Sequence, residues 1–269
     1  MTWQFQSSGA PCLIAGPCVV EDDRTMMAVA ERLVQLGRSL GMAVCFKASF
    51  DKANRVRANA PRGPGLHAGL ESLARVRDAS GLPVLSDVHE ADQAATVAEV
   101  VDVLQVPAFL CRQTDLLVAC GRTGKPVNVK KGQWMDAAAM AGAVDKVRHG
   151  GSTQVATTER GTFFGYGDLV VDFRNVDRLR AATGAPVLFD ATHSVQRPGQ
   201  GLAGSSGGAR DAIPSLLMAA AGAGVDGFFI ETHPDPSQAL SDRETQWPLD
   251  QLEPLLSRAV AVWRTARGV

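Results

Sequence analysis

Lysine is scarce in this 269-residue chain: Lys47, Lys52, Lys125, Lys130, Lys131 and Lys146 are the only ones. Four of them gather behind two apolar runs, Lys47 with Lys52 and Lys130 with Lys131, and arginine carries most of the other positive charge. A lysine ammonium is a compact point charge suited to a phosphate or carboxylate oxygen, and Arg55, Arg112 and Arg160 offer a planar fork for the same ligands. The cluster predicts a small, highly anionic ligand; the competing reading is a set of solvated loop charges. No P-loop lysine pattern occurs, and the GxGxxG string at Gly199–Gly204 lies in a glycine-rich loop rather than at a direct strand-to-helix turn, so a nucleotide is not implied.

A second group, Cys18, His193, Glu231 and Asp242, is scattered along the chain with no short ligand spacing. One thiolate, one imidazole and two carboxylates suit a divalent ion such as Zn²⁺, Fe²⁺ or Mn²⁺, and softness alone does not choose among these. The group has meaning only if the fold gathers it. Otherwise Cys18 is a small buried hydrophobe, and His233 competes with His193.

The elements that must do the gathering are legible. Short apolar runs recur at Cys12–Ala15, Val44–Lys47, Val84–Asp87, Val103–Val106, Val127–Val129, Gln154–Thr157, Val187–Asp190 and Gly227–Glu231. Between and after them, Met26–Leu40, Leu66–Ala79, Ala91–Val100, Ala137–His149, Val176–Ala182, Asp211–Ala223 and Leu249–Thr265 show helical apolar spacing. Gly41, Gly81, Gly150 and Gly184 stand where C-cap glycines belong. Strand–helix alternation of this kind implies parallel strands joined by crossover helices, and the length suits a closed (β/α)8 barrel of ~250 residues. An open doubly wound sheet is the structural competitor. No linker or composition break divides the chain, so residues 1–269 read as one domain, with Met1–Pro11 expected to cover the barrel floor.

In such barrels chemistry sits at the carboxyl ends of the strands. Cys18 follows the first run, Lys47 ends the second, Asp87 ends the third and Gln105 lies in the fourth. Lys130 follows the fifth, Glu159 and Arg160 the sixth, Asp190 and His193 the seventh, and Glu231 ends the eighth. Closure would make the first, seventh and eighth strands neighbours and bring Cys18, His193 and Glu231 together, with Asp242 arriving from the last long loop. Two glycine-rich loops, Arg62–Gly65 and Gly199–Gly208, read as mobile lids.

Composition narrows the function classes. With 27 basic and 28 acidic side chains the net charge is −1, so no global field favours nucleic acid or an anionic membrane. The longest uncharged apolar stretch, Ala212–Val225, contains Pro214 and falls short of the ~20 residues that span hydrocarbon. Five cysteines, an odd number, argue against a disulfide framework and for a reducing compartment. The N-terminus lacks a basic segment followed by an apolar one, so a cytoplasmic location is expected.

Several motifs carry a resemblance. Ile14-Ala15-Gly16-Pro17-Cys18, Phe46-Lys47-Ala48-Ser49-Phe50-Asp51-Lys52-Ala53-Asn54-Arg55, Pro107-Ala108-Phe109-Leu110-Cys111-Arg112-Gln113-Thr114-Asp115, Asn128-Val129-Lys130-Lys131-Gly132-Gln133, Thr158-Glu159-Arg160-Gly161, Asp190-Ala191-Thr192-His193-Ser194-Val195-Gln196 and Glu231-Thr232-His233-Pro234 closely resemble the 3-deoxy-D-manno-octulosonate 8-phosphate synthase family. The match runs from the first strand to the final helix.

The resemblance implies a (β/α)8 barrel that condenses phosphoenolpyruvate with arabinose 5-phosphate and releases phosphate, in lipopolysaccharide assembly. It implies that Lys47, Lys52, Lys130 and Arg160 hold the phosphate and carboxylate of phosphoenolpyruvate, with Ser49, Asp87, Gln105 and Gln196 lining the same site. Asn54 and Arg55 would position the sugar phosphate. Arg112, with Phe109 beside it, would reach a neighbouring subunit's acceptor phosphate in a homotetramer. The family has a metal class with cysteine and a metal-free class with asparagine at the position of Cys18; Cys18 implies the metal class, with His193, Glu231 and Asp242 as further ligands.

There are departures. Val56 and Arg57 stand where the family usually has two serines, one of which helps hold the acceptor phosphate, and Ala60-Pro61 replaces a more typical Ser-Phe. A sister synthase using erythrose 4-phosphate normally carries Lys-Pro-Arg-Thr where this chain has Lys52-Ala53-Asn54-Arg55, which favours the eight-carbon product. Two further rivals are a Schiff-base aldolase with Lys130 as nucleophile and a non-catalytic barrel that binds a sugar phosphate.

Overall fold

The structure is a computed structural model that describes residues 3–6, 9–55, 59–200 and 207–269. Val56 and Arg57, and residues 201–206 of the second glycine-rich loop, lie outside the described residues.

Eight parallel strands form the frame: β1 (Cys12–Gly16), β2 (Val44–Lys47), β3 (Val84–Asp87), β4 (Val103–Val106), β5 (Val127–Lys130), β6 (Val155–Glu159), β9 (Val187–Asp190) and β10 (Gly227–His233). Each pairs with the next, and β1 pairs with β10 from Cys12↔Gly227 to Gly16↔Glu231, so the sheet closes on itself. Closure removes the open-sheet alternative. All residues of these strands are buried, as expected where helices cover the outside and side chains fill the inside.

The outer ring consists of α1 (Asp23–Leu40), α2 (Leu66–Ser80), α3 (Gln93–Val100), α4 (Thr114–Arg122), α5 (Ala137–Gly150), α6 (Asn175–Thr183), α7 (Ile213–Gly222) and α8 (Leu252–Arg267). In α1 the Asp22 side chain caps the first turn by accepting from Thr25 N at 3.0 Å. Met26, Val29, Ala30, Leu33 and Leu36 then form one buried stripe. Inside the barrel, Trp3 and Phe5 join Cys12, Ile14, Cys45, Leu85, Val103, Ala156, Leu188 and Phe229 in a separate apolar cluster. Among the described residues no helix is long and apolar enough to cross a membrane.

The structure departs from the sequence reading in four places. Helix α4 is absent from the expected elements, although Leu116, Leu117 and Cys120 form its buried face. Gly150 does not cap α5; Gly151 does, at φ 120°. Gly150 lets α5 approach α4, since a Cβ there would meet Val118 O at 2.4 Å. An antiparallel hairpin, β7 (Thr162–Gly165) with β8 (Asp168–Val170), follows β6, and a short strand β11 (Trp247–Pro248) pairs in parallel with the end of β10. Finally, Arg62–Gly65 is tied down: Arg62 ion-pairs with Asp51, its carbonyl accepts from Lys52 N at 2.7 Å, and Gly65 N donates to Phe50 O at 3.1 Å.

Candidate active site

The barrel's alternation decides what faces the centre. Cys45, Leu85, Val103 and Ala156 point inward, so Lys47, Asp87, Gln105 and Thr158, two residues further along, do so as well, one layer nearer the strand ends. Gly16 makes this mouth narrow, because a Cβ there would lie 2.1 Å from the Lys47 carbonyl oxygen.

At the junction of β1, β2 and β10, buried Lys47 ion-pairs with Glu231 and donates to the Cys18 carbonyl at 2.9 Å. Burial opposes the Glu231 charge, but Lys47, His193 and Lys52 more than offset it and hold its pKa below the usual value. Lys52 donates to Ser49 Oγ at 2.9 Å, and Ser49 donates to Asp87. Burial works against the Lys52 charge, yet Cys18, Glu231, Asp87 and Asp242 together raise its pKa.

Across the mouth, Lys130 ion-pairs with Asp190 and sits 3.1 Å from the centroid of the Phe229 ring, with Lys47 5.6 Å from the same centroid. Burial pushes the Lys130 pKa down to about 8, against the pull of Asp190. Arg160 is buried as well; its Nη2 donates to Gln196 Oε1 at 2.6 Å, while its buried Nη1 has no partner among the described residues. A buried guanidinium with an open donor is a place for an anion. Gln196 in turn donates to Asp242 Oδ1 at 3.2 Å, linking the arginine to the last loop.

Three of the four candidate metal ligands, Cys18, Glu231 and Asp242, form one cluster, and His193 stands beside it. One ligand atom each from Cys18, Glu231 and Asp242 lies within 4.8 Å of the others, and Cys18 Sγ is 3.0 Å from Asp242 Oδ2. His193 Nε2 faces Glu231 Oε1 at 3.7 Å and Asp242 Oδ2 at 3.9 Å. Its Nδ1 lies 2.7 Å from Asp190 Oδ2, and an ionised carboxylate only accepts, so Nδ1 carries a proton and Nε2 is the ring nitrogen turned toward the cluster. Asp190 is held well below the ordinary carboxylate range; burial acts against this, and His193 and Lys130 outweigh it.

These donors fit a cation. Ligand atoms on one tetrahedral zinc stand roughly 3.3–3.8 Å apart, given bonds of ~2.0–2.3 Å, close to the separations found. Glu231 Oε2 is buried without a partner among the described residues, as a ligating oxygen awaiting its ion would be. Burial, followed by Asp242 and Glu231, lifts the Cys18 thiol well above its usual pKa, a bias that a bound cation reverses. His233, the rival histidine, turns to Glu21 at 3.4 Å instead.

Other residues stand further out. Arg55 bridges two loops, donating to Ser241 Oγ at 2.7 Å and to the Pro61 carbonyl at 2.8 Å. Asn54 and Arg112 are exposed on the rim, as is Phe109, whose ring stacks at a tilt on Trp134 with centroids 5.9 Å apart.

Sequence reasoning missed one structural device. Lys131, grouped with the anion-binding lysines, is fully buried and pairs with Glu159 at 3.3 Å. It also donates to the Gly161 carbonyl at 3.2 Å, while Glu159 Oε1 accepts from Arg160 N at 2.9 Å and Gly161 N at 2.8 Å. The pair builds the turn that presents Arg160. Lys131→Met is therefore expected to cost about 3–5 kcal/mol, the usual penalty for orphaning a buried charge; chemical unfolding reads it, and unchanged stability contradicts the assignment.

The chain is similar to known proteins over nearly its whole length. The DAHP synthetase I family model matches residues 6–264. The chain is 53% identical over 251 residues to the 2-dehydro-3-deoxyphosphooctonate aldolase of Nitratidesulfovibrio vulgaris strain DP4, covering 93% of this chain and 91% of that protein. It is 52% identical over 264 residues to the Syntrophotalea carbinolica protein of that name, covering 98% and 95%, and 51% identical over 259 residues to that of Desulfatibacillum aliphaticivorans, covering 96% and 94%. With the barrel closed and the motif residues gathered at its mouth, the chain belongs to the DAHP synthetase I family, and within it to the 2-dehydro-3-deoxyphosphooctonate aldolases, also called 3-deoxy-D-manno-octulosonate 8-phosphate synthases.

Proposed function

We propose that this chain condenses phosphoenolpyruvate with D-arabinose 5-phosphate and water to give 3-deoxy-D-manno-octulosonate 8-phosphate and inorganic phosphate, a transferase step in lipopolysaccharide precursor synthesis. The observation that carries the reading is the meeting, at one barrel mouth, of Lys47, Lys130 and a buried Arg160 with an open donor beside the Cys18, His193, Glu231 and Asp242 group.

Lys130, Arg160 and Lys47 hold the phosphate and carboxylate of phosphoenolpyruvate, with Lys52 on the side toward the acceptor. The acceptor lies toward Asn54 and Arg55, its phosphate gripped by the guanidinium now spent on Ser241 and Pro61. C3 of the enol forms a bond to the aldehyde carbon, whose oxygen takes up a proton. Water adds at C2, and the C2–O bond to phosphate breaks, leaving a ketone and free phosphate. The chain supplies proximity and preorganised charge, because its cations are positioned before the substrates arrive. A divalent zinc, iron or manganese ion bound by Cys18, His193, Glu231 and Asp242 would orient the aldehyde oxygen or a water and polarise it as a Lewis acid. Asp190 keeps the His193 Nδ1 proton in place.

The working unit is a homotetramer in which Arg112 and Phe109 reach a neighbour's acceptor phosphate, a reading supported by their exposure on the rim. The chain acts as one domain, with Trp3 and Phe5 of its N-terminal segment against the barrel floor, a reading supported by their burial. The enzyme acts in the cytoplasm; five buried, unpaired cysteines support a reducing compartment.

Lys130 sets a pH dependence. With its pKa pushed down to about 8, the free enzyme loses this positive charge earlier than an ordinary lysine would. The kcat/KM for phosphoenolpyruvate is expected to fall above that pH, by roughly ten-fold per unit for one titrating group. A profile that stays flat well into the alkaline range contradicts this role. The function itself is tested by measuring phosphate release from phosphoenolpyruvate with arabinose 5-phosphate and erythrose 4-phosphate offered separately, with the product weighed by mass spectrometry. The reading expects an eight-carbon keto-acid phosphate; preference for the tetrose phosphate overturns it.

A further inference from the structure

A continuous ladder of side-chain hydrogen bonds runs around the barrel wall from β2 to β6. Lys52 Nζ donates to Ser49 Oγ at 2.9 Å, and the Ser49 hydroxyl donates to Asp87 Oδ2. From the other side Gln105 Nε2 donates to Asp87 Oδ1 at 2.7 Å, Asn128 Nδ2 to Gln105 Oε1 at 2.8 Å, and Thr158 Oγ1 to Asn128 Oδ1 at 2.7 Å. Ser49, Asn128 and Thr158 are completely buried, and Asp87 and Gln105 nearly so. Asp87, Gln105 and Asn128 are direct register partners on β3, β4 and β5.

The ladder has a direction. Asp87 is ionised: burial opposes its charge, but Lys47 and Lys52 hold it well below the ordinary carboxylate range. A carboxylate only accepts, so Gln105 must turn its amino edge to it and its carbonyl to Asn128. Asn128 must then turn its amino edge to Gln105 and its carbonyl to Thr158, which must donate. One anion thus sets the orientation of every group behind it. On the near side it claims the Ser49 proton and leaves an oxygen lone pair for Lys52. Nothing in barrel packing requires this. Inward positions on adjacent strands would pack as well with apolar residues, and a polar network in a core is favourable only when every member is satisfied.

We propose that Asn128 and Thr158 are positioning residues of the condensation: through Gln105 they lock one Nε2 hydrogen onto Asp87 and keep the other for bound phosphoenolpyruvate. The inference rests on the function proposed above. Gln105 touches the substrate, and Asn128 and Thr158 act through it.

The test compares Thr158→Val, which keeps shape but removes the donor, with Thr158→Ser, which keeps the hydroxyl, and adds Asn128→Asp, which sets a carboxylate against Gln105 Oε1. Steady-state kcat and both KM values are measured beside unfolding curves. Thr158→Val is expected to lower kcat roughly ten-fold, the weight of about one hydrogen bond, with both KM values and the fold nearly unchanged. Thr158→Ser should recover wild-type kcat, and Asn128→Asp should lose more than Thr158→Val. Wild-type kcat in Thr158→Val, equal losses in the serine and valine variants, or a Thr158→Val protein that no longer folds each overturn the proposal; the last would make the ladder a requirement of the fold. A wild-type enzyme with no product in the same assay removes the function reading instead, so the two failures are distinguishable.

Discussion

Stripping the enzyme with a chelator is expected to lower turnover by about a thousand-fold or more, and added zinc, iron(II) or manganese should restore it. A Lewis acid supplies several kcal/mol of charge stabilisation, and each 1.36 kcal/mol is about a factor of ten in rate. The donor set explains the dependence: Cys18 Sγ lies 3.0 Å from Asp242 Oδ2, and Glu231 Oε2 is buried with no partner among the described residues. Without a cation, two carboxylates and a buried thiol crowd one spot, and the thiol keeps its proton. Cys18→Asn is expected to reduce the metal bound per chain while retaining some turnover, because Lys47, Lys130 and Arg160 are untouched. Elemental analysis reads the first effect. Full activity in the stripped enzyme, or unchanged metal content in the variant, contradicts the ligand assignment.

Replacing Lys130 by methionine is expected to lower kcat/KM for phosphoenolpyruvate by about a thousand-fold, since losing one preorganised charge in a dry site costs roughly 3–4 kcal/mol. Two things change at once. The anion loses a cation seated at the Phe229 ring, and Asp190 loses the partner that, with His193, keeps it ionised. Asp190 also fixes the His193 tautomer, so the histidine side should suffer as well. Wild-type-like unfolding alongside lost turnover separates this from collapse of the barrel. A loss below ten-fold contradicts a direct role, and borohydride trapping of a substrate adduct on Lys130 would turn it into a Schiff-base nucleophile.

Much of this site is legible in the sequence because a parallel barrel translates chain order into space. A strand buried on both faces reads as an apolar run, and the charged residue that ends it, such as Lys47, Asp87 or Asp190, falls at the mouth. Gathering Cys18 with Glu231 needs one further fact, closure between β1 and β10, which periodicity alone does not give. What stays hidden has local causes. The β7–β8 hairpin is largely exposed and lacks the buried run that marks a barrel strand. Lys131 looks like its neighbour Lys130, yet strand alternation turns consecutive residues to opposite sides, and it ends on Glu159 rather than on a ligand. Asn128 and Thr158 carry no signal of their own, because a neutral polar residue inside a strand means nothing until its partners across two other strands are known.

The most direct measurement is a crystal structure of the enzyme with phosphoenolpyruvate, arabinose 5-phosphate and metal, with anomalous scattering used to place the ion. The account predicts an ion within ~2.0–2.3 Å of Cys18 Sγ and the ligand atoms of His193, Glu231 and Asp242. It also predicts the phosphoenolpyruvate phosphate and carboxylate on Lys47, Lys130 and Arg160, and the aldehyde carbon close to C3 of the enol. Either anion bound away from this mouth, or an ion held by other residues, would contradict it.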